Sequence, residues 1–249
     1  MESTRNAVRA ERTRAVLLDT ARARFATDGY AATSTPTIVD EAGVSRGALY
    51  HHFRDKAHLF EAVVEREYAA VAEVIEAIAA ATMEQTADSV EILVAAGNAF
   101  LDALRDPGRR RILLVDGPAV LGPETIHEIN GRHTGRTLRM GVAAAVACGD
   151  FADLPIDAVA DVLDAAYDRT ALVEGDDAPH RMVIGIMMEG FRRGKMTAGN
   201  ATPANTHDPP RQGDGRPGGN TRCVAGVRRT GRQALISGQL PRRVGGNSV

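Results

Sequence analysis

Two short helical segments joined by a glycine-containing turn are the feature that most constrains the fold of this chain. Residues 35–42 and 46–53 have helical patterns, and Gly43-Val44-Ser45 lies between them. Thr35 is predicted to cap the earlier helix and Pro36 to occupy its first turn, where a missing N–H costs nothing. Ser45 is predicted to cap the later helix. Two helices joined by such a short turn form a helix-turn-helix motif, here at residues 34–53.

The rest of the ordered sequence is also predicted to be helical. A first helix is expected at 12–28, and Asp55 is expected to cap a long helix that reaches about Ala80. Further helices are expected near 87–105, 109–115, 123–148, 156–173 and 177–193, with no alternating strand pattern between them. The predicted fold class is all-α, with a three-helix N-terminal domain and a helical C-terminal domain.

Composition supports the all-α fold class and distinguishes the C-terminal segment from the rest of the chain. Aromatic residues make up only 4% of the chain and Trp is absent, which favours packed helices over sheets. The net charge of −2 combines a slightly basic head, an acidic body and a basic tail. The tail, residues 197–249, is rich in Gly, Pro and Arg and is predicted to be disordered. Its arginines could add non-specific phosphate contacts, or the tail could be an inert extension.

The later helix of a helix-turn-helix lies in the major groove of DNA, and its first residues reach the base edges. Arg46 is suited to pair with guanine or phosphate, and Gly47 allows close backbone approach. Side chains one turn later offer hydroxyl and imidazole groups. The candidate DNA-binding residues are Thr35, Ser45, Arg46, Gly47, Tyr50, His51, His52 and Lys56.

These residues also carry a family resemblance. The pattern Phe25-x-x-x-Gly29-Tyr30, the uninterrupted run Ala42-Gly43-Val44-Ser45-Arg46-Gly47-Ala48-Leu49-Tyr50-His51-His52-Phe53, and Lys56 closely resemble the TetR/AcrR family of transcriptional regulators. The similarity covers residues 11–71. Arg24 departs from it, because family members usually have an apolar residue there. Residues 110–122 are similar to one C-terminal subfamily of these regulators.

The resemblance implies a homodimeric repressor that a small molecule releases from a palindromic operator. The two cysteines, Cys148 and Cys223, are far apart and favour a reduced, cytoplasmic setting. The resemblance also places the DNA-binding domain at 11–71 and an effector-binding and dimerisation domain at 72–196. Dimer contacts are expected on the helices near 156–173 and 177–193. No cofactor, metal ion, membrane span or enzymatic activity is expected.

Other interpretations of single motifs remain open at this stage. Gly43-Val44-Ser45-Arg46-Gly47 matches the nucleophile elbow of hydrolases, although that motif needs a preceding strand. His51 and His52 could be metal ligands, but adjacent helical residues point about 100° apart. His127 could line an effector pocket, bind a metal ion or lie on a solvated helix face. A regulator that activates or bends DNA without a ligand, and a pure protein-interaction module, are further alternatives.

Overall fold

The computed structural model describes residues 2–194, so the predicted disordered tail at 197–249 lies outside the described residues. Within that range the protein is all-α, as predicted, with one isolated bridge between Phe151 and Arg192 and no strand. The α-helices are α1 Glu2–Asp28, α2 Thr35–Ala42, α3 Arg46–His52, α4 Lys56–Met83, α5 Ser89–Ala103, α6 Pro107–Arg110, α7 Gly117–Leu121, α8 Pro123–Arg132, α9 Thr134–Cys148, α10 Ile156–Ala171 and α11 Ala178–Gly190. No helix in this range is both long and apolar enough to cross a lipid bilayer.

Helices α1–α3 and the start of α4 form the N-terminal head around a cluster of aromatic rings. The Phe25 ring meets the Phe60 ring edge-on at 5.0 Å, and the Tyr30 ring lies 4.9 Å from Phe60. Leu49 supplies the inward face of α3 and is fully buried. The three helices of the head therefore share one core with the first turns of α4.

The ends of α2 and α3 are set by side-chain caps, and one of them differs from the prediction. Ser45 caps α3 as expected, because its Oγ accepts a hydrogen bond from the Ala48 N–H at 3.2 Å. The prediction that Thr35 caps α2 is wrong: Ser34 is the cap and accepts from the Thr37 N–H. Thr35 is instead the first helical residue. Gly43 ends α2 with φ +63°, in the left-handed region that favours glycine.

The body differs from the predicted helices at two places. The segment predicted as one helix over 123–148 is divided at His133 into α8 and α9. The buried Asn130 side chain accepts from the Gly135 N–H at 3.0 Å and from the Thr134 hydroxyl, so it satisfies donors at the start of α9. The helix expected at 109–115 is the short α6 followed by a π-helical segment, Arg111–Asp116.

The long helix α4 belongs to both halves of the molecule. Its buried face begins with Leu59 in the head and continues through Val71 and Ile75 into the body, where it packs against α5 and α9. Between these two ends lies Glu67, an acidic side chain that is only 6% exposed. The junction of head and body is therefore built around a buried charge.

Two arginines neutralise Glu67, one from each half. Arg22 of α1 contacts Glu67 Oε1 at 3.3 Å, and Arg109 of α6 contacts Oε2 at 2.8 Å. Arg22 also binds Asp106, the cap of α6, at 2.7 Å. We name these four residues the junction cluster. It connects α1, α4 and α6 through charge-assisted hydrogen bonds, which are stronger than neutral ones.

We expect Glu67→Gln to lower the free energy of unfolding by about 2–3 kcal/mol. Removing one partner of a fully buried ion pair costs roughly 3–5 kcal/mol, and here both arginines keep some contact with water. Urea denaturation followed by circular dichroism measures the loss. Glu73→Gln, on an exposed position of the same helix, is the matched control and should change stability by less than about 0.5 kcal/mol. Equal losses in the two variants would contradict the role given to the junction cluster.

Candidate nucleic-acid interface

Helix α3 presents one buried and one exposed face. Leu49 anchors it, and Phe53, which follows its last residue, is 1% exposed. Ser45, Arg46 and Gly47 are all exposed at its first turn. Because the cap fixes where α3 begins, the residues predicted to reach base edges do stand together at an open helix N-terminus.

Three of the predicted site residues form one surface cluster across the turn. Tyr50 is 43% exposed. Hydrogen bonding to the side chain of Thr35, and then to that of Arg46, lowers the pKa of Tyr50. The Arg46 guanidinium also lies over the Tyr50 ring, 5.6 Å from its centroid. The start of α2 and the exposed face of α3 thus make a continuous polar surface.

His51 and His52 lie beside this surface but differ in environment. His51 is exposed and His52 is half-buried, and their rings meet edge-on at 5.2 Å. Burial, together with the positive charges of His51 and Arg14, lowers the pKa of His52. His52 is therefore suited to neutral hydrogen bonding near pH 7. Among residues 2–194 no three His, Cys, Asp or Glu side chains are grouped closely enough to hold a metal ion.

Lys56 also stabilises the local backbone, a role that its position in the sequence did not predict. Its ammonium donates to the Tyr30 carbonyl at 2.9 Å and to the Thr33 carbonyl at 3.0 Å, and lies 4.1 Å from the centroid of the Tyr30 ring. It thereby fixes the turn that leads into α2. An ammonium has three donors, so one remains for a phosphate.

Gly47 is not required by packing within the head. A Cβ built at this position would meet only Ser45 Oγ, at 3.9 Å, which is an ordinary contact. The backbone of Gly47 is helical rather than left-handed. Neither crowding nor strain within the protein explains a glycine here. The absence of a side chain leaves room for another molecule to approach the backbone closely.

Two arginines of α1 have roles that sequence patterns did not predict. The Arg14 guanidinium lies 5.5 Å from the centroid of the Phe53 ring, next to His52, and so extends the polar surface onto α1. Arg24, the departure from the family pattern, is paired with Glu41 of α2 and with Asp28. It therefore lies on the surface and leaves the packing of α1 intact. The contacts with Phe53 and Glu41 join α1 to other elements, and local sequence patterns do not reveal them.

The nucleophile-elbow interpretation does not fit the geometry around Ser45. The residue follows α2 and a turn rather than a strand, and its Oγ accepts the capping hydrogen bond from Ala48. That interpretation requires a strand, a sharp turn and a hydroxyl directed at a base. The helix-turn-helix interpretation requires only two helices joined by a short turn, as α2 and α3 are.

Comparison with known proteins supports the helix-turn-helix assignment. Residues 17–63 match the family described as bacterial regulatory proteins, tetR family, and residues 90–185 match the tetracyclin repressor-like C-terminal domain. A TetR-family transcriptional regulator of Pectobacterium atrosepticum is 31% identical, with a TM-score of 0.57, over 74% of this chain and 96% of that one. The chain belongs to the TetR family.

The curated relatives match this chain over a short stretch only. The HTH-type transcriptional repressor AcnR of Corynebacterium diphtheriae is 41% identical over 59 residues, which are 24% of this chain and 31% of that protein. The HTH-type transcriptional regulator AcrR of Shigella flexneri is 45% identical over 56 residues, 22% of this chain and 26% of that protein. The chain thus matches about a third or less of the length of these curated relatives.

We expect Lys56→Met to lower the free energy of unfolding by about 2 kcal/mol. The Tyr30 and Thr33 carbonyls would lose a charged donor, and hydrogen bonds to charged groups contribute roughly 1.5–3 kcal/mol. Chemical denaturation measures the change. Arg54→Met, two residues earlier on an exposed position, is the control for loss of a cation from the same region. A Lys56 variant as stable as the Arg54 variant would show that the turn does not depend on this ammonium.

Proposed function

We propose that this protein is a one-component transcriptional regulator, most simply a repressor, that binds a palindromic operator as a homodimer and is released by a small-molecule effector. The proposed domains are residues 11–71 for DNA binding and 72–196 for the effector and for dimerisation. Its site of action is the cytoplasm, and no enzymatic step is assigned to it. The observation that carries the proposal is the exposed, capped N-terminus of α3 within a TetR-family head.

The proposed DNA contacts fall into two classes. Arg46 and Tyr50 stand at the centre of the exposed face of α3 and are assigned to base edges, with Gly47 allowing close approach. Phosphate contacts are assigned to Thr35, Ser45, His51, His52 and Lys56, with Arg14 as an addition at the edge of the surface. Phosphate contacts fix the position of the protein on the DNA, and base contacts supply the sequence specificity.

Within residues 2–194, arginines without a carboxylate partner are more frequent in the head than in the body. Five arginines of the head have no carboxylate partner among the described residues, namely Arg9, Arg12, Arg14, Arg46 and Arg54. Most arginines of the body are instead bound to Asp or Glu. A surface whose cations are not already neutralised is the one that attracts the phosphate backbone.

A second exposed surface supports the homodimer. Val162 of α10 and Met182, Val183 and Ile186 of α11 are large apolar side chains that are each more than half exposed. On α11, Ile186 follows Met182 by four positions and Val183 by three, so the three form one stripe, while Ile184 and Met188 face the core. Exposed apolar side chains on two adjacent helices, joined to those of a second copy, would make a four-helix interface of the class common in homodimers.

The proposed switch changes the distance between the two recognition helices. In the DNA-binding form they would lie about 34–36 Å apart, one turn of DNA. An effector in the body would favour another spacing, and α4 with the junction cluster would transmit the change to the head. Such an effector must bind the two forms with different affinity, or the equilibrium does not shift.

A binding titration against the DNA that flanks the protein's own gene tests the main proposal. At two salt concentrations we expect tight binding to one palindromic fragment with two protomers bound. Arg46→Ala should weaken specific binding by at least tenfold, because a bidentate contact to guanine contributes roughly 1–3 kcal/mol. Arg105→Ala, an exposed arginine of the body, is the matched control and should bind like the wild type.

Three results would contradict this proposal, two of them its DNA binding and one its switch. Weak binding of equal strength to every fragment would leave only non-specific phosphate contacts. Equal losses of DNA affinity in the Arg46 and Arg105 variants would show that the DNA contacts do not lie on α3. An effector that saturates the protein without changing its DNA affinity would contradict the switch and leave operator binding in place.

The dimer is tested by placing a charge in the exposed stripe. Ile186→Asp should convert the dimer to a monomer in sedimentation equilibrium, because an unpaired carboxylate would be buried at the interface. The control, Val115→Asp, introduces the same charge at an exposed apolar residue outside α10 and α11 and should leave the dimer intact. If the Ile186 variant remains a dimer with an unchanged dissociation constant, the dimer interface does not include this stripe.

A further inference from the structure

Helix α11, which carries the exposed apolar stripe, is bound to α5 at both of its ends. In its first turn, Arg181 binds Asp102 of the last turn of α5 at 2.9 Å. Just after its end, Arg192 binds Asp88, the cap of α5, at 2.7 Å. The two helices are therefore antiparallel, and Asp88 and Asp102 lie about 20 Å apart along α5. The Arg181 end is the one next to the head, because α6 follows α5 there and contacts α1.

The Arg181 guanidinium connects α11 with α5 through four hydrogen bonds. Its Nη1 donates to the backbone and side-chain oxygens of Asn98 at 3.4 and 3.1 Å. Its Nη2 donates to Asp102 at 2.9 Å and to Asp177, which directly precedes α11, at 2.8 Å. Arg105 lies 3.3 Å from Asp102 and 3.8 Å from Asp177. We name Asp102, Arg105, Asp177 and Arg181 the α11 anchor.

One donor of Arg181 is not used in this arrangement. Its Nε–H is buried and has no hydrogen-bond acceptor among the described residues. A buried donor without a partner costs free energy, and a side-by-side pair of Nε and Nη2 with one carboxylate would satisfy it. Arg181 instead reaches α5 and Asp177 at the same time. The connection with α5 is therefore formed at the expense of a better local pair with Asp177 alone.

The end of α5 that binds Arg181 is also bound to the junction cluster. Asp106, shortly after α5, caps α6 and binds Arg22 of α1 at 2.7 Å. Arg109 of α6 donates to the Ala103 carbonyl, at the end of α5, at 3.3 Å and to Glu67 of α4 at 2.8 Å. Printed in one line, the contacts run from α11 to α5, from α5 to α6, and from α6 to α1 and α4. The anchor and the junction cluster therefore meet at the end of α5.

We propose that Arg181 is a positioning residue for DNA binding, which fixes the head at one distance and angle from the helices that form the dimer. This inference rests on the proposed function, since it takes α3 to bind DNA and α11 to form the dimer. Arg181 directly precedes Met182 of the exposed stripe, so the second copy would hold the same turn of α11 that Arg181 connects with α5. Without this connection each head would turn more freely, and the two α3 helices would no longer keep one spacing.

The spacing of the operator half-sites gives the direct test with the full-length protein. The probes are the palindromic fragment selected by the titration described above, and the same fragment with one base pair inserted or removed between its half-sites. One base pair changes the separation by about 3.4 Å and the rotation by about 35°. We expect the wild type to bind the unaltered fragment at least tenfold more tightly than either altered one. Arg181→Met should reduce this ratio to less than threefold.

This ratio separates positioning from stability. A variant that is merely less stable loses affinity for all three fragments by the same factor, so its ratio is that of the wild type. Sedimentation equilibrium and circular dichroism verify that each variant is dimeric and folded. If Arg181→Met does not fold, Asp102→Asn is the milder variant, because it keeps the shape of an exposed side chain and removes one charged acceptor. It should reduce the ratio by at least half.

Arg192→Met is the matched control. Arg192 is also half-buried and also binds two carboxylates, those of Asp88 and Glu189. It connects α11 with the start of α5, far from the head. The control therefore loses contacts of the same kind between the same two helices, and it should keep the wild-type ratio.

Hydrogen–deuterium exchange measures the same connection without DNA. The amides of Gly108 and Arg109 donate to Asp106, so their exchange rates report how firmly α6 is held. Because Arg181→Met releases the end of α5 from α11, exchange at these amides should be at least threefold faster than in the wild type. Arg192→Met should leave it unchanged.

Four results would overturn the inference. These are a wild-type ratio in Arg181→Met, equal losses of the ratio in Arg181→Met and Arg192→Met, unchanged exchange at α6 in Arg181→Met, or a wild type that binds the three fragments equally well. In each case specific binding of the unaltered fragment over unrelated DNA leaves the proposed function in place. If no fragment is bound specifically, the proposed function fails, and the DNA-positioning role of Arg181 fails with it, whatever the exchange rates show.

Discussion

The buried charge of Glu67 is the constraint around which the two halves of this molecule are arranged. A carboxylate that is 6% exposed must be neutralised locally, because its transfer out of water is costly. Here the neutralising groups come from α1 on one side and α6 on the other. The head cannot rotate far against the body without separating one arginine from this carboxylate. Head and body are therefore coupled through a defined set of ion pairs.

This coupling gives the proposed switch a physical basis. Packed interfaces and hydrogen-bonded ion pairs favour a few discrete arrangements over continuous deformation. The π-helical segment Arg111–Asp116 adds to the same junction, since Asp116 accepts the Tyr30 N–H at 2.9 Å and Arg111 binds the Thr27 carbonyl. Two arrangements of these bonds would place α3 differently. An effector needs only to favour one of them by a few kcal/mol.

Local sequence chemistry predicted the head well because its determinants are near in sequence. Ser45 and Asp55 cap α3 and α4 as expected, and the all-α fold is confirmed. The error at α2 was one residue: Ser34 and Thr35 are both capping types, and only the backbone shows that Ser34 is extended. The exposed N-terminus of α3 followed directly from these caps. The contact roles assigned to its side chains stay predictions.

The body was less predictable because its polar residues act across helices. Asn130 divides a segment whose periodicity suggested one helix, and it does so through a side chain that also binds Asp164, 34 residues away. The partners of Glu67 on α4 are equally distant, since Arg22 precedes it by 45 residues and Arg109 follows it by 42. No local pattern indicates that these side chains meet. The helix that carries Glu67 at the junction also packs against α5 and α9, so a single element connects the head with the core of the body.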